Sequence, residues 1–306
     1  MLVNLNSILP AARKGKYAVG AFNTSNMEIT QAILLAAEYL NAPVIIATSE
    51  KAIRYAGIDN ISQMIINMAR KSKIPVTLHL DHGKSYEIAK ECIRYNYTSV
   101  MIDASYLPFR ENLKVTKRVV NYARKHGVTV EAEIGRLAGI EDDLKVKNKE
   151  AIYTDPKEAT RFAEESGCDA LAIAIGTSHG AYKFKGTPRL RIDVLKEVAR
   201  EVRTPLVLHG ASGVKFNWIS RVNKYGGTLE HTKGVPDRLL REAVKNGIAK
   251  INTDTDLRIG FTAGVREYLS MHPHDFDPRK IIAQARKRIT EVVMDRISVF
   301  GSKNKA

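Results

Sequence analysis

Three of the eight histidines in this 306-residue chain stand in one recurring setting. His82 lies in LDHG, His179 in GTSHG and His209 in LHGASG, each at or just after a short apolar run and each followed at once by glycine. A glycine there lets backbone and ligand approach closely. One such histidine would read as a hydrogen-bonded structural residue; three converging on one place form the donor set of a catalytic zinc with a position open to substrate. The stretch PVTLHLDHGKS, Pro75–Ser85, sharpens the point, because it ends an apolar run on His79, Asp81 and His82. Burying such groups is costly unless they are paired or bound. His79 sits one layer deeper and takes an orienting or packing role. His126 falls at a helix end, and His231, His272 and His274 fall in loops; none of these four is assigned chemistry.

The elements that must position these residues follow from hydropathy. Eight apolar runs, 17–23, 43–49, 75–81, 98–103, 127–133, 169–176, 204–210 and 247–253, alternate with amphipathic stretches such as EITQAILLAAEYL and NLKVTKRVVNYARKHG. Strand–helix alternation repeated eight times predicts an α/β fold, a (β/α)8 TIM barrel occupying 1–306 as one domain, with extra C-terminal helices from about 277. An open doubly wound sheet is the competing architecture, but no G-x-G-x-x-G follows the first run. Strand side chains alternate, so Val76, Leu78 and Leu80 face the helices. Thr77, His79 and Asp81 face the axis, with Ser99, Met101, Asp103, Thr129, Glu131, Glu133, His209, Lys250 and Asn252. The polar inward residues gather at the C-terminal strand ends, where barrel enzymes carry their active sites. Carboxylates so close together need a compensating cation, a metal or Lys250. Two excursions break the rhythm: GRLAGIEDDLKVKNKEAIYTDP, a candidate lid, and KYGGTLEHTKGVPD.

The net charge of +15 favours anionic partners. Basic residues are nonetheless interleaved with Glu along the chain, without basic blocks among aromatics or zinc-finger spacing, so nucleic acid is not the expected partner. The sequence lacks an eighteen-residue apolar stretch and a signal-peptide pattern, which predicts no membrane span. Two distant cysteines, Cys92 and Cys168, predict no disulfide framework and fit a reducing cytoplasm.

Five motifs together, DHG at 81–83, AEIGRLAG at 132–139, GTSHG at 176–180, HGASG at 209–213 and INTDTDLR at 251–258, resemble the class II, zinc-dependent fructose-1,6-bisphosphate aldolases, in their short bacterial branch. The resemblance runs from the N-terminus to about Arg279. It implies reversible cleavage of fructose 1,6-bisphosphate to dihydroxyacetone phosphate and glyceraldehyde 3-phosphate, a step of glycolysis and gluconeogenesis. It implies one catalytic zinc per subunit on His82, His179 and His209, with Glu133 and Asp103 beside it or at an alternate metal position, and a sodium or potassium ion held by backbone carbonyls. Asp81 matches the residue that removes a proton from the ketose phosphate while zinc acts as Lewis acid. Glu141, with Asp142 and Asp143 as neighbours able to take its place, matches the proton carrier on the aldehyde side. Asn252 matches the residue that holds the enediolate, and Asn23 another substrate contact.

Gly180, Gly210, Ser212 and Thr255 lie in Gly-rich or helix-opening turns whose N–H groups can cradle phosphate, and Lys183 adds charge nearby. Asp254 and Arg258 match residues reading the far end of the sugar. Arg279 matches one reaching the phosphate from a neighbouring subunit, which implies a homodimer or homotetramer. Tagatose-1,6-bisphosphate aldolases of the same family usually differ after the Asn of that last motif. Three readings from other classes stand beside this one. A Schiff-base aldolase would use Lys250. A zinc hydrolase would need a His-x-His strand pair, which is absent. A basic nucleic-acid-binding protein has only net charge in its favour.

Overall fold

The structure, a computed structural model, describes residues 1–135, 138–141, 144–146, 153–179, 189–230 and 232–306, with backbone alone for 138–141, 144–146 and His179. The strands among them are, in chain order, β1 (Val19–Asn23), β2 (Val44–Ser49), β3 (Val76–Gly83), β4 (Ser99–Ile102), β5 (Thr129–Ile134), β6 (Ala138–Glu141), β7 (Leu144–Val146), β8 (Ala170–Ile173), β9 (Ser178–His179), β10 (Leu206–Leu208) and β11 (Ile248–Thr253). Eight of them close a parallel barrel in the order β1-β11-β10-β8-β5-β4-β3-β2. These are the eight apolar runs of the sequence, and the expected (β/α)8 barrel is the fold observed.

Helices connect successive barrel strands because their apolar positions recur at three- and four-residue spacing. In Tyr86–Arg94 the buried residues are Ala89, Cys92 and Ile93. Ser85 caps that helix by accepting from the Ile88 N–H, and Asp155 caps Pro156–Ser166 from the Glu158 N–H. Side-chain alternation along the strands divides the apolar interior in two. Val76, Leu78, Leu80, Val100 and Ile102 pack outward beneath the helices. Val19, Ala21, Ile45, Ala172 and Val207 fill the lower barrel, closed from below by Leu5, Ile8 and Leu9.

The excursion after β5 contains an antiparallel hairpin, β6 with β7, and β6 pairs in parallel with β9. The C-terminal extension is a single helix, Pro278–Phe300, which packs on helices Met27–Tyr39 and Thr255–Met271. Cys92 and Cys168 are buried and unlinked. Among the described residues no helix is long and apolar enough to cross a membrane.

Candidate active site

The upper barrel is built around an irregularity in β3. Leu80 pairs with Val100 but the next partners are Gly83 and Ile102, so one residue is extra on β3. His82 takes a left-handed conformation at this bulge, φ 47°. A β-bulge re-aims side chains, and this one brings the consecutive residues Asp81 and His82 to the same mouth. Gly83 is required beside it, because a Cβ there would lie 2.7 Å from both the Met101 carbonyl oxygen and Leu80 Cδ2.

Two imidazoles meet at the axis. His82 Nε2 lies 2.9 Å from His209 Nδ1. Each ring is oriented from behind by a carboxylate: His82 Nδ1 is 2.8 Å from Asp103 Oδ2, and His209 Nε2 is 2.7 Å from Glu131 Oε1. A carboxylate behind each ring can hold the outer nitrogen's proton and leave the inner nitrogen's lone pair for a metal ion, so the donor set fits one. Glu133 Oε2 is 3.9 Å from His82 Nδ1, and Asp81, His82 and His209 bring their ligand atoms within 4.8 Å of one another, as do His82, Asp103 and Glu133.

The layer below holds this arrangement. Lys250 Nζ donates to Glu131 Oε2 at 2.7 Å, with both side chains fully buried. Burial disfavours the Glu131 charge, but Lys250 first and the His209 hydrogen bond next outweigh it and keep the carboxyl ionised, far below its ordinary pKa. Burial first, then repulsion from His82, lowers the pKa of His209 and favours the neutral ring a metal needs. Asp103 is also held below its usual range: burial opposes its charge, and the bonds from His82 and Ser105 overcome that. His79 bonds Ser99 at 2.9 Å and lies 3.4 Å from Lys250 Nζ. With Lys250 enclosed and committed to Glu131, the structure gives it a scaffolding position rather than a nucleophile's access to a carbonyl.

Asp81 is gripped from two strands. Asn23 Nδ2 donates to its Oδ2 and Asn252 Nδ2 to its Oδ1, both at 2.8 Å. The amide oxygens of Asn23 and Asn252 are buried and have no hydrogen-bond partner among the described residues. Asp81 Oδ1 lies 4.0 Å from His209 Nδ1. The arrangement is a fixed carboxylate beside the imidazole pair, with two orphan acceptors ready for hydroxyl donors of a ligand.

Other predicted residues lie around this centre. Gly210 follows His209 at φ 61°, and a Cβ on it would sit 2.8 Å from the Ser178 carbonyl oxygen, so the His209 turn rests on the strand that contains His179. Ser212 is buried two residues on, and Thr255 opens helix Thr255–Met271. Asp254 and Arg258 form a two-pronged ion pair, with Arg258 Nε and Nη2 at 3.0 and 2.7 Å from the carboxylate oxygens. They line a cleft of about 300 Å³ together with Asn23, Ser49 and Lys51. Arg279 is 90% exposed and binds Asp277, away from the residues gathered on the axis. The side chains of His179 and Glu141, and residues Asp142, Asp143, Gly180, Lys183 and His231, lie outside the described residues.

Sequence reasoning overlooked Ser49, although it ends β2 as the other polar residues end their strands. Lys51, in the first turn of the helix Glu50–Ala56 that follows, had no such signal. The pairing of His209 with Glu131 was also missed; both were placed facing inward, but which partners meet depends on how the barrel closes.

The closed barrel, with histidines and carboxylates gathered at the C-terminal ends of its strands, is that of a barrel enzyme. Comparison with known proteins agrees. A family model described as fructose-bisphosphate aldolase class II matches residues 3–305. The chain is 50% identical over 306 residues to a fructose-bisphosphate aldolase of Thermus caldophilus and 49% to one of Helicobacter pylori strain 26695, each match covering 100% of both chains. The crystal structure of the YdjI aldolase from Escherichia coli K12 superposes with a TM-score of 0.83 at 33% identity, covering 100% of both chains. The chain belongs to the class II fructose-bisphosphate aldolases, which are carbon–carbon lyases.

Proposed function

We propose that this chain catalyses the reversible aldol cleavage of fructose 1,6-bisphosphate to dihydroxyacetone phosphate and glyceraldehyde 3-phosphate, as a zinc enzyme of glycolysis and gluconeogenesis in the cytoplasm. The observation that carries the reading is Asp81, held by Asn23 and Asn252 at 2.8 Å each and facing the His82–His209 pair. Zinc would be held by His82 and His209, with His179 as third ligand, and would supply a Lewis acid for the ketose oxygens.

The chain's own residues handle the protons. In the condensation direction Asp81 takes a proton from the carbon next to the carbonyl of dihydroxyacetone phosphate, and in cleavage it returns that proton. The two amides hold the carboxylate in place and aim it at that carbon. Their free oxygens accept from substrate hydroxyls, which ties substrate binding to the position of the base. Glu141 exchanges the proton of the hydroxyl on the aldehyde side as the carbon–carbon bond breaks or forms. Ser212, Gly210, Gly180 and Lys183 receive one phosphate. Asp254 and Arg258, with Thr255 at the same helix start, serve the other end of the sugar. Arg279, extended into solvent on Asp277, serves a neighbouring mouth in a homodimer or homotetramer.

Replacement of Asp81 by alanine tests the assignment. The variant is expected to keep its zinc and lose turnover by about 10²-fold or more, the usual loss for a general base. Turnover near that of the wild type would remove Asp81 from the reaction.

A further inference from the structure

The turn that follows His209 is held by groups the reaction itself does not use. Val214 takes φ 44°, a left-handed conformation that β-branched residues avoid. The carboxylate of Asp256, itself 3% exposed, secures it: Oδ2 accepts from the Gly213 N–H at 2.8 Å and Oδ1 from the Val214 N–H at 2.6 Å. On a third side the Ser212 carbonyl accepts from the Val235 N–H at 3.0 Å, and Gly234 packs so tightly on Gly213 that a Cβ on Gly234 would lie 2.2 Å from the Gly213 carbonyl carbon.

Beneath the turn lies Arg296, 1% exposed. Its Nη2 reaches Asp237 at 2.7 Å and its Nε reaches Asp295 at 3.0 Å, while Nη1 is buried without a hydrogen-bond partner among the described residues. That same Nη1 lies 2.6 Å from the place a Cβ on Gly213 would take. Lys215, the next residue along the turn, ties to Asp295 at 2.7 Å and Asp237 at 3.0 Å. The guanidinium thus sits as a charged floor under Gly213, attracted to Asp256, which holds the turn from its helix. Rotation of the turn would break the three hydrogen bonds its backbone makes and disturb the ion pairs around the buried Arg296.

We propose that Asp256 and Arg296 are positioning residues that brace the Ser212–Val214 turn and thereby set the affinity of the phosphate site next to it. This rests on the reading of Ser212 as a phosphate contact. Asp256 is distinct in this from Asp254, two residues earlier, which is paired with Arg258 in the cleft at the mouth.

The test is Asp256→Asn, which keeps the shape of the side chain but cannot accept from both N–H groups. The account expects KM for fructose 1,6-bisphosphate and Kd for dihydroxyacetone phosphate to rise about tenfold, the loss of a charge-assisted hydrogen bond. It expects kcat within about threefold of wild type, since the groups that move protons are untouched. Zinc content should stay the same, and amide exchange at Gly213 and Val214 should speed up. Adding Val214→Gly, which relieves the left-handed strain, should recover part of the lost affinity. A folded Asp256→Asn with unchanged KM and unchanged exchange overturns the proposal, as does a loss confined to kcat. If Asp256→Asn does not fold, Arg296→Lys is read in its place: a raised KM with retained zinc supports the brace, and an unchanged KM refutes it. Wild-type protein that fails to cleave the bisphosphate would refute the functional reading instead, and the exchange measurement would still report on the brace.

Discussion

His79 illustrates how the side chains below the mouth depend on being neutral or charged as the fold dictates. It is fully enclosed between Ser99 and the Lys250–Glu131 pair. Burial first, and the Lys250 charge second, depress its pKa to about 3 from an ordinary 6.5. The unfolded chain therefore takes up a proton at His79 well before the folded one does. Stability is present in full above about pH 6.5 and is lost as pH falls toward 3, at about 1.4 kcal/mol per pH unit for this one group. Denaturant unfolding at several pH values, with chelator present to remove the linkage to metal, should show a shallower slope in His79→Gln than in wild type. Identical slopes would show that His79 is not held neutral by its surroundings.

At the scale of the strand, β3 shows what a hydropathy pattern can and cannot convey. Val76, Leu78 and Leu80 announce an outward apolar face, so Thr77, His79 and Asp81 were legible as inward residues. Strict alternation would then send His82 outward. The extra residue at the bulge reverses that, and the only sign of it in the sequence is the glycine that follows. Gly83→Ala puts a methyl group against the Met101 carbonyl. It should cost about 1–3 kcal/mol of stability by overpacking and lower zinc content by displacing His82. A variant with normal metal content and normal stability would show that the bulge tolerates a side chain.

The same limit explains Asp254 and Asp256, which look alike in NTDTD. One faces the cleft with Arg258 and the other clamps a turn more than forty residues away in sequence, a partnership that no local spacing encodes. The long C-terminal helix was legible as helical, but its seat against Met27–Tyr39 was not, because that contact joins opposite ends of the chain.

At the scale of the whole molecule, the site exists only when the barrel is closed. Asn23 comes from β1, Asp81 and His82 from β3, Glu131 and Glu133 from β5, and Asn252 from β11, while Asp103 and His209 follow β4 and β10. Each of these strands delivers one or two polar groups, and the pairs that matter form across the axis: Asn252 with Asp81, His82 with His209, Lys250 with Glu131. An overall charge of +15 favours encounter with anionic ligands.

The measurement that bears most directly on this account is aldol cleavage of fructose 1,6-bisphosphate before and after EDTA, with zinc then returned and tagatose 1,6-bisphosphate run alongside. The account predicts activity that disappears on chelation, returns in proportion to bound zinc, and favours the fructose bisphosphate. Activity that survives complete metal removal would contradict the role given to His82 and His209 and return attention to Lys250.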